Sequence, residues 1–266
     1  MPLLLLAPRI SEDSVTLWKA AGRLGWTTER LSSWQAPEEL SQADLAVYAE
    51  PLFVAAIADT LGLAMIEPSL DWLPSLPWEL LRRRIYRSTL KEARLLRAPA
   101  FIKAVNDKTF PATVHDAGLR IAADDILSDD TPVLISDVVQ WEDEYRCFVL
   151  DGRVQTASIY WRDGCLARND DGSWMNDDCV FNGAVEFAEQ VLGHPGLASP
   201  PAFVLDVGRI RGQGWAVIEG NSAWAAGIYG CDPERILPAV YRATRRRHSL
   251  TDSDRRWIVE RTWEQG

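Results

Sequence analysis

Hydrophobic and polar positions follow two periods in roughly the first hundred residues, and this predicts strands separated by helices. Short apolar runs predict strands at residues 3–6, 45–48 and 63–66. Apolar residues recur at helical spacing over residues 12–24 and 53–62, where Gly25 and Gly62 are suitable helix stops. This alternation is typical of βα units around a parallel sheet, so we expect an α/β fold.

A basic stretch at residues 78–96 follows an irregular connection that is rich in proline and tryptophan. We predict a basic helix here, and its solvated or packing face is the simplest interpretation. A second basic run, Arg245-Arg-Arg-His248, fits the charged end of a helix that begins near Pro233. The alternative is that the two basic segments contact RNA.

From Pro99 onward the pattern changes to pairs of strands. Residues 132–139, 142–150 and 153–160 are rich in apolar and β-branched residues, and Asp151-Gly152 between the last two is a strong hairpin signal. Glu144 and Arg146 share one face of their strand because strand side chains alternate. A structural ion-pair ladder is one explanation of this pattern.

A second predicted hairpin carries the most informative acidic residues. The strands Val204-Leu-Asp-Val-Gly-Arg209 and Ala216-Val-Ile-Glu-Gly-Asn221 are joined by a short, glycine-bracketed link. A turn centred on residues 212–213 places Asp206 opposite Glu219, and alternation places Asn221 on the same face as Glu219. Two facing carboxylates repel each other unless a cation lies between them, and three oxygen ligands suit Mg²⁺. The alternative is an ordinary solvent-exposed hairpin face.

Two lysines add candidate cations. Lys103 interrupts the apolar strand at residues 101–105, where it must either reach solvent or meet an anion. Lys108 follows in the polar segment Asn106-Asp-Lys-Thr-Phe110. Lone strand lysines usually point at water, but this pair could also bracket a polyphosphate.

Composition narrows the class of protein. The chain has 266 residues, 47% hydrophobic and 25% charged, with a net charge of −10. A globular protein is expected, and the negative charge argues against a general electrostatic grip on nucleic acid. The first apolar run stops at Arg9, too short to cross a membrane. The four cysteines show no CxxC spacing, so we expect reduced thiols and a cytoplasmic location.

The ordered set of segments resembles the ATP-grasp superfamily. The set comprises the strand lysine Lys103, the strand leading to residues 137–139, the acid-x-Arg pair, Asp206, and Glu-x-Asn at residues 219–221. The last step, followed by Ser222, is similar to the motif of RimK-like glutamate ligases. Phe101-Ile-Lys, Trp141-Glu-Asp-Glu-Tyr-Arg and Gly227-Ile-Tyr-Gly-Cys-Asp232 resemble more closely the bacterial and phage branch named for one arginine and two lysines.

This resemblance implies an N-terminal, Rossmann-like preATP-grasp domain over residues 1–97. It also implies an ATP-grasp domain of two α+β lobes over residues 98–266, with a C-terminal helical tail. The cofactors implied are ATP and Mg²⁺. No membrane partner is expected, and a nucleic-acid partner is disfavoured. The sequence gives no indication of the oligomeric state.

The resemblance also assigns roles to individual residues. Lys103 and Lys108 would contact the phosphates, main-chain groups of Asp137, Val138 and Val139 would hold adenine, and Glu144 would bind the ribose hydroxyls. Arg146 and Arg209, with Lys108, would stabilise the transferred phosphoryl group. The magnesium ligands would be Asp206, Glu219 and Asn221.

The implied activity is ligation of a carboxylate to an amine through an acyl-phosphate, with release of ADP. The substrates would be a small-molecule or peptide carboxylate and an amine acceptor. One alternative is a non-catalytic, ATP-binding regulatory module, because residues 105–113 contain no glycine that would let a loop cradle phosphates. The other alternative is an RNA-associated ATP-grasp protein.

Overall fold

The computed structural model describes residues 1–105, 110–116, 127–175 and 178–259. The first part of the chain folds as alternating strands and helices. These are β1 (Leu3–Leu6), α1 (Glu12–Arg23), β2 (Thr27–Arg30), β3 (Leu45–Tyr48), α2 (Pro51–Ala58) and β4 (Leu63–Met65). Strands β1, β2 and β3 form a parallel sheet in the order β2-β1-β3. The predicted strands at 3–6 and 45–48 and both predicted helices are therefore confirmed.

Strand β2 was missed because its residues are polar. Its sequence is Thr-Thr-Glu-Arg, and none of these side chains is buried, so no apolar signal marks this edge strand. The predicted strand at 63–66 exists as β4 but does not join the parallel sheet. It pairs antiparallel with β14 (Thr244–Arg246) near the end of the chain.

The second part of the chain contains an antiparallel sheet in the order β5-β8-β6-β7. Its elements are α3 (Trp78–Leu81), β5 (Ile85–Thr89), α4 (Leu90–Ala93), β6 (Ala100–Ala104), β7 (Thr113–His115) and β8 (Pro132–Ser136). A small apolar core that includes Leu90, Ile102, Val133 and Ile135 packs against it. This sheet has its own core, separate from the main one.

The predicted basic helix over residues 78–96 is wrong. Helix α3 ends at Arg82, which adopts a left-handed conformation with φ of 50°. The chain then forms β5, whose Ile85 pairs with Ser136 of β8. Pairing with β8 overrides the local helical pattern, as tertiary contacts often do. Because β5 belongs to this sheet, we propose that the domain boundary expected at 97/98 lies closer to residue 80.

The largest sheet has five antiparallel strands in the order β11-β10-β9-β12-β13. Its strands are β9 (Trp141–Leu150), β10 (Arg153–Arg162), β11 (Cys165–Leu166), β12 (Ala202–Ile210) and β13 (Gly214–Asn221), with helix α5 (Asp178–Leu192) between β11 and β12. Both predicted hairpins are confirmed. Asp151 and Gly152 have φ of 48° and 73°, as a tight turn between β9 and β10 requires.

The end of the chain returns to the N-terminal sheet. Helix α6 (Pro233–Ala243) buries Ile236, Leu237 and Val240, and contacts α1, β3 and β12. The helix stops at Ala243, so the prediction that Arg245–Arg247 extend its charged end is wrong: residues 244–246 form β14 instead. A short helix, α7 (Asp252–Arg255), follows. No helix in the described part of the chain is long and apolar enough to cross a bilayer.

Candidate functional site

The candidate site lies where the four-stranded sheet faces the five-stranded sheet. Strands β12 and β13 pair so that Asp206 is directly opposite Glu219, which confirms the predicted register. The amide Nδ2 of Asn221 donates to Asp206 Oδ2 at 3.0 Å and to Glu219 Oε1 at 2.9 Å. The three residues therefore converge, and we refer to Asp206, Glu219 and Asn221 as the carboxylate cluster.

A lysine from the opposite sheet reaches this cluster. Lys103 on β6 donates through Nζ to Glu219 Oε2 at 2.5 Å. Burial alone would raise the pKa of Glu219, but the charge and hydrogen bond of Lys103 reverse that effect and lower the pKa to about 2. Glu219 is therefore ionised over the whole physiological pH range.

Arg146 on β9 neutralises the other carboxylate. Its Nε donates to Asp206 Oδ1 at 3.0 Å and its Nη2 to Asp206 Oδ2 at 2.7 Å, a bidentate pair. Asp206 is fully buried, and Nη1 of Arg146 donates to the carbonyl of Gly227 at 2.9 Å. Burial raises the pKa of Asp206, and the guanidinium counteracts this by stabilising the charged form.

Glu144 lies two residues before Arg146 and has a different environment. The hydroxyl of Tyr160 donates to its Oε2 at 2.7 Å, and no Lys or Arg of the described chain forms an ion pair with it. Burial and the neighbouring charges of Asp206 and Glu219 raise the pKa of Glu144 to about 7. This side chain can therefore gain or lose a proton near neutral pH.

The segment after β8 has two main-chain amides available to a ligand. The amide of Asp137 donates to the carbonyl of Arg84, and its carboxylate accepts the amide of Arg84 at 2.9 Å. Neither the Val138 nor the Val139 amide donates to another described residue. The side chain of Val138 is 46% exposed.

Comparison with protein families decides the identity of the fold. Residues 80–239 match an ATP-grasp domain family, family 2 of the clade that is named for one arginine and two lysines. The chain belongs to this ATP-grasp family. The match covers β5 to α6 and contains the whole carboxylate cluster. A comparison with curated proteins found no match.

Solved structures with the same fold are distant in sequence. D-cycloserine synthetase DcsG is 16% identical with a TM-score of 0.50, and the match covers 91% of this chain and 99% of DcsG. A RimK domain ATP-grasp protein from Sphaerobacter thermophilus is 14% identical, with a TM-score of 0.47 and coverages of 90% and 99%. D-alanine–D-alanine ligase from Bacillus anthracis is 12% identical, with a TM-score of 0.47 and coverages of 91% and 97%.

The carboxylate cluster of this ATP-grasp chain has a donor set suited to Mg²⁺. Carboxylate and amide oxygens are hard ligands, and the two carboxylates face each other. Among the described residues, no three His, Cys, Asp or Glu side chains form a group that could hold a metal. A magnesium ion would therefore need an oxygen of Asn221 or of a bound phosphate, and it would compete with the cations of Arg146 and Lys103.

Two predicted site residues are not brought to this cluster. Arg209 is three residues beyond Asp206 on β12, so it lies on the opposite face of the sheet. There its Nε donates to the buried carboxylate of Asp143 at 2.9 Å. The expectation that Arg209 stabilises the phosphoryl group is therefore wrong on geometry. Lys108 lies outside the described residues.

The ATP-grasp site also contains an arginine that the sequence interpretation assigned to a helix surface. Arg83 is 5% exposed, and its guanidinium donates to three main-chain carbonyls, at 3.0 Å to Leu81, 2.7 Å to Val217 and 3.0 Å to Ile218. It also lies 4.9 Å from the centre of the Trp141 ring. Burial lowers the pKa of Arg83 to about 10. The run of basic residues concealed this signal.

Two tyrosines complete the surroundings of Arg146. The rings of Tyr160 and Tyr229 stack with centroids 4.9 Å apart, and the guanidinium lies 4.8 Å from the Tyr229 centroid. Tyr229 has a φ of 47°, an unfavourable backbone conformation for this residue type. Strained residues of this kind concentrate at functional sites, and the resemblance had already singled out the Gly227–Asp232 segment.

Proposed function

We propose that this ATP-grasp chain is an ATP- and Mg²⁺-dependent carboxylate–amine ligase that forms an acyl-phosphate and releases ADP. One observation carries the proposal. A lysine from one sheet meets a carboxylate cluster on the other, which is a suitable arrangement for holding nucleotide phosphates with a divalent cation. Membership of the ATP-grasp family supports the nucleotide assignment.

In this proposal the nucleotide lies between the two sheets. Lys103 contacts the α- or β-phosphate, and the main-chain amides of Val138 and Val139 hold the adenine ring. Glu144 accepts hydrogen bonds from the ribose, for which it must be ionised. We further propose that residues before about 80 form a Rossmann-like preATP-grasp domain, supported by the parallel sheet β2-β1-β3.

The proposed reaction has two steps. An oxygen of the substrate carboxylate attacks the γ-phosphorus, and the bond to ADP breaks to leave an acyl-phosphate. The amine nitrogen then attacks the acyl carbon, loses a proton and expels phosphate. Mg²⁺ held by Asp206, Glu219 and Asn221 would neutralise phosphate charge. The substrates would be a small-molecule or peptide carboxylate and an amine.

Arg146 has a supporting role in this scheme. Its guanidinium is held by Asp206, by the Gly227 carbonyl and by the tyrosine rings, so it presents a fixed positive charge beside the carboxylate cluster. Fixed charges favour the transition state because they need no reorganisation during the reaction. Arg146 would therefore counteract negative charge that develops near Asp206.

The basic segments give less support to an RNA-associated function. Arg83 is buried, Arg87 pairs with Asp71 and Arg94 with Asp129. Near the end of the chain, Arg247 pairs with Asp59, and Arg246 donates to the main-chain carbonyls of residues 40, 43 and 61. These side chains already have partners, whereas phosphate binding needs available cations.

The test begins with thermal unfolding in the presence of a non-hydrolysable ATP analogue, Mg²⁺, or both. Ligand at about a hundredfold over its dissociation constant adds roughly 2.7 kcal/mol to the free energy of unfolding. We expect a shift that needs Mg²⁺ and is lost in Asp206→Asn. Turnover with mixed carboxylates and amines should then release ADP. Release of AMP and pyrophosphate would exclude the acyl-phosphate route, and nucleotide binding without any turnover would favour the regulatory module.

A further inference from the structure

A second cavity lies on the other side of Arg146 from Lys103. Its volume is about 160 Å³, and it is lined by residues that include Ala7, Arg9, Asp13, Tyr48, Glu50 and Gly227. These residues come from the carboxyl ends of β1 and β3, the first turn of α1, and the segment after β13. In the order β2-β1-β3 the chain leaves β1 toward both sides, and ligands of open parallel sheets bind at such a switch point.

Asp13 in this cavity is a partly buried carboxylate without a cationic partner in the described chain. The amide of Ile228 donates to its Oδ2 at 3.2 Å. The hydroxyl of Tyr48 lies 3.3 Å from the same oxygen but donates at the shorter distance of 2.9 Å to the carbonyl of Ala226. The neighbouring Glu12, by contrast, is exposed and pairs with Arg168 at 3.0 Å. A partly desolvated carboxylate such as Asp13 is stabilised when a cation binds.

Glu50 adds a second negative charge to the wall of the cavity. Its partner is Arg9, at 3.4 Å, and both side chains are largely exposed, so this ion pair is weak. Two carboxylates and one loosely held cation leave the cavity with net negative charge. This charge favours a positively charged ligand group over an anion.

The cavity is directly connected to the residues around the carboxylate cluster. A Cβ placed on Gly227 would lie 3.6 Å from Asp13 Oδ2 and 3.6 Å from Arg146 Nη1. The absence of a side chain at this position therefore leaves open space between the two charged groups. A ligand group in that space would contact Asp13 while it approached the guanidinium that holds Asp206.

We infer that this cavity binds the ammonium group of a primary amine. Asp13 and Glu50 supply the negative charges that recognise it, and the small volume admits only the amine end of a larger molecule. The assignment of this amine as the acceptor of the ligation rests on the proposed function. Binding of the ammonium group does not.

The test measures binding of small amines by saturation-transfer NMR. The probes are methylamine, ethanolamine and glycinamide, each compared with a neutral analogue: methanol, ethylene glycol and acetamide. We expect the amines to bind better than the neutral compounds. Asp13→Asn should weaken amine binding by about fivefold or more, equivalent to about 1 kcal/mol, while its remaining carbonyl oxygen still accepts from Ile228.

Matched variants separate charge from shape. Glu12→Gln removes a charge from the same turn outside the cavity and should leave amine binding unchanged. Gly227→Ala should weaken binding by filling the space beside Asp13, whereas Gly22→Ala, which meets no atom within 4 Å, should not. Equal binding of amines and neutral analogues, or unchanged amine binding in Asp13→Asn, would overturn the inference.

A parallel measurement distinguishes this inference from the proposed function. The same samples are unfolded thermally with Mg²⁺ and the ATP analogue. A nucleotide shift without selective amine binding would overturn the ammonium cavity and leave the proposed ligase site in place. Selective amine binding without a nucleotide shift would support the cavity and remove the basis of the ligase.

Discussion

Lys103 and Glu219, 116 residues apart in the sequence, form an ion pair of 2.5 Å that joins the four-stranded sheet to the five-stranded sheet. Their side chains are 24% and 29% exposed, so solvent screens the pair only in part. This contact places a cation beside the carboxylate cluster before any nucleotide is present. We expect a bound phosphate to share Lys103 with Glu219.

Replacing Lys103 with methionine should abolish the thermal shift caused by Mg²⁺ and an ATP analogue. The pKa of Glu219 should also rise from about 2, since Lys103 is the main cause of its depression. A depressed carboxyl pKa contributes stability that is lost as pH falls below the unfolded value. The acid-side loss of stability should therefore be smaller in the variant. Lys91→Met, on an exposed part of α4, is the control, and an undiminished nucleotide shift in Lys103→Met would contradict the assignment.

Glu144 should give the opposite dependence on pH. Its folded pKa of about 7 exceeds the ordinary value of 4.5, so the folded protein binds more protons than the unfolded chain between these values. The free energy of unfolding should therefore fall as pH rises through this window. Glu144→Gln should flatten that slope, measured by urea unfolding at about pH 5 and about pH 8. Glu142→Gln is the control, and the same slope in wild type and Glu144→Gln would exclude Glu144 as its cause.

Breaking the pair between Arg146 and Asp206 should be costly. Arg146→Met leaves a fully buried carboxylate without its bidentate partner, and losses of about 3–5 kcal/mol are typical of such sites. The double variant Arg146→Met with Asp206→Leu should lose less than the sum of the single variants, because neither charge is then left unpaired. Denaturant unfolding of the four proteins measures this coupling. Strict additivity would show that the two side chains do not stabilise each other.

Arg209 should behave differently from Arg146. Arg209→Gln removes one partner of Asp143, which Arg162 also contacts at 2.7 Å, so we expect a smaller loss of stability. Because Arg209 lies on the face away from the carboxylate cluster, the thermal shift with Mg²⁺ and ATP analogue should persist. A nucleotide shift lost in folded Arg209→Gln would restore the original expectation for this residue.

The sequence predicted those parts of the fold that depend on local patterns. The β12–β13 hairpin and the register of Asp206 with Glu219 follow from strand alternation and a glycine-bracketed turn. The polar strand β2 and the basic strand β5 were not predicted, since both depend on pairing with distant segments. The ion pair of Arg146 with Asp206 was missed for a related reason: alternation gives a shared face but not which charges meet across neighbouring strands.

Arg83 shows most clearly what a run of basic residues can conceal, and it leads to a further prediction. Its guanidinium holds the main chain of β13 at Val217 and Ile218, two residues before Glu219, and it packs on Trp141 at the start of β9. Arg83→Met keeps a long side chain but leaves buried carbonyls without donors, at a cost of about 1–3 kcal/mol for each unsatisfied group. We expect a lower melting temperature and weaker nucleotide binding, because Glu219 would lose its fixed position. Arg84→Met removes the neighbouring exposed cation and should change neither quantity. If Arg83→Met lowered stability while nucleotide affinity stayed constant, Arg83 would support the fold without positioning the carboxylate cluster.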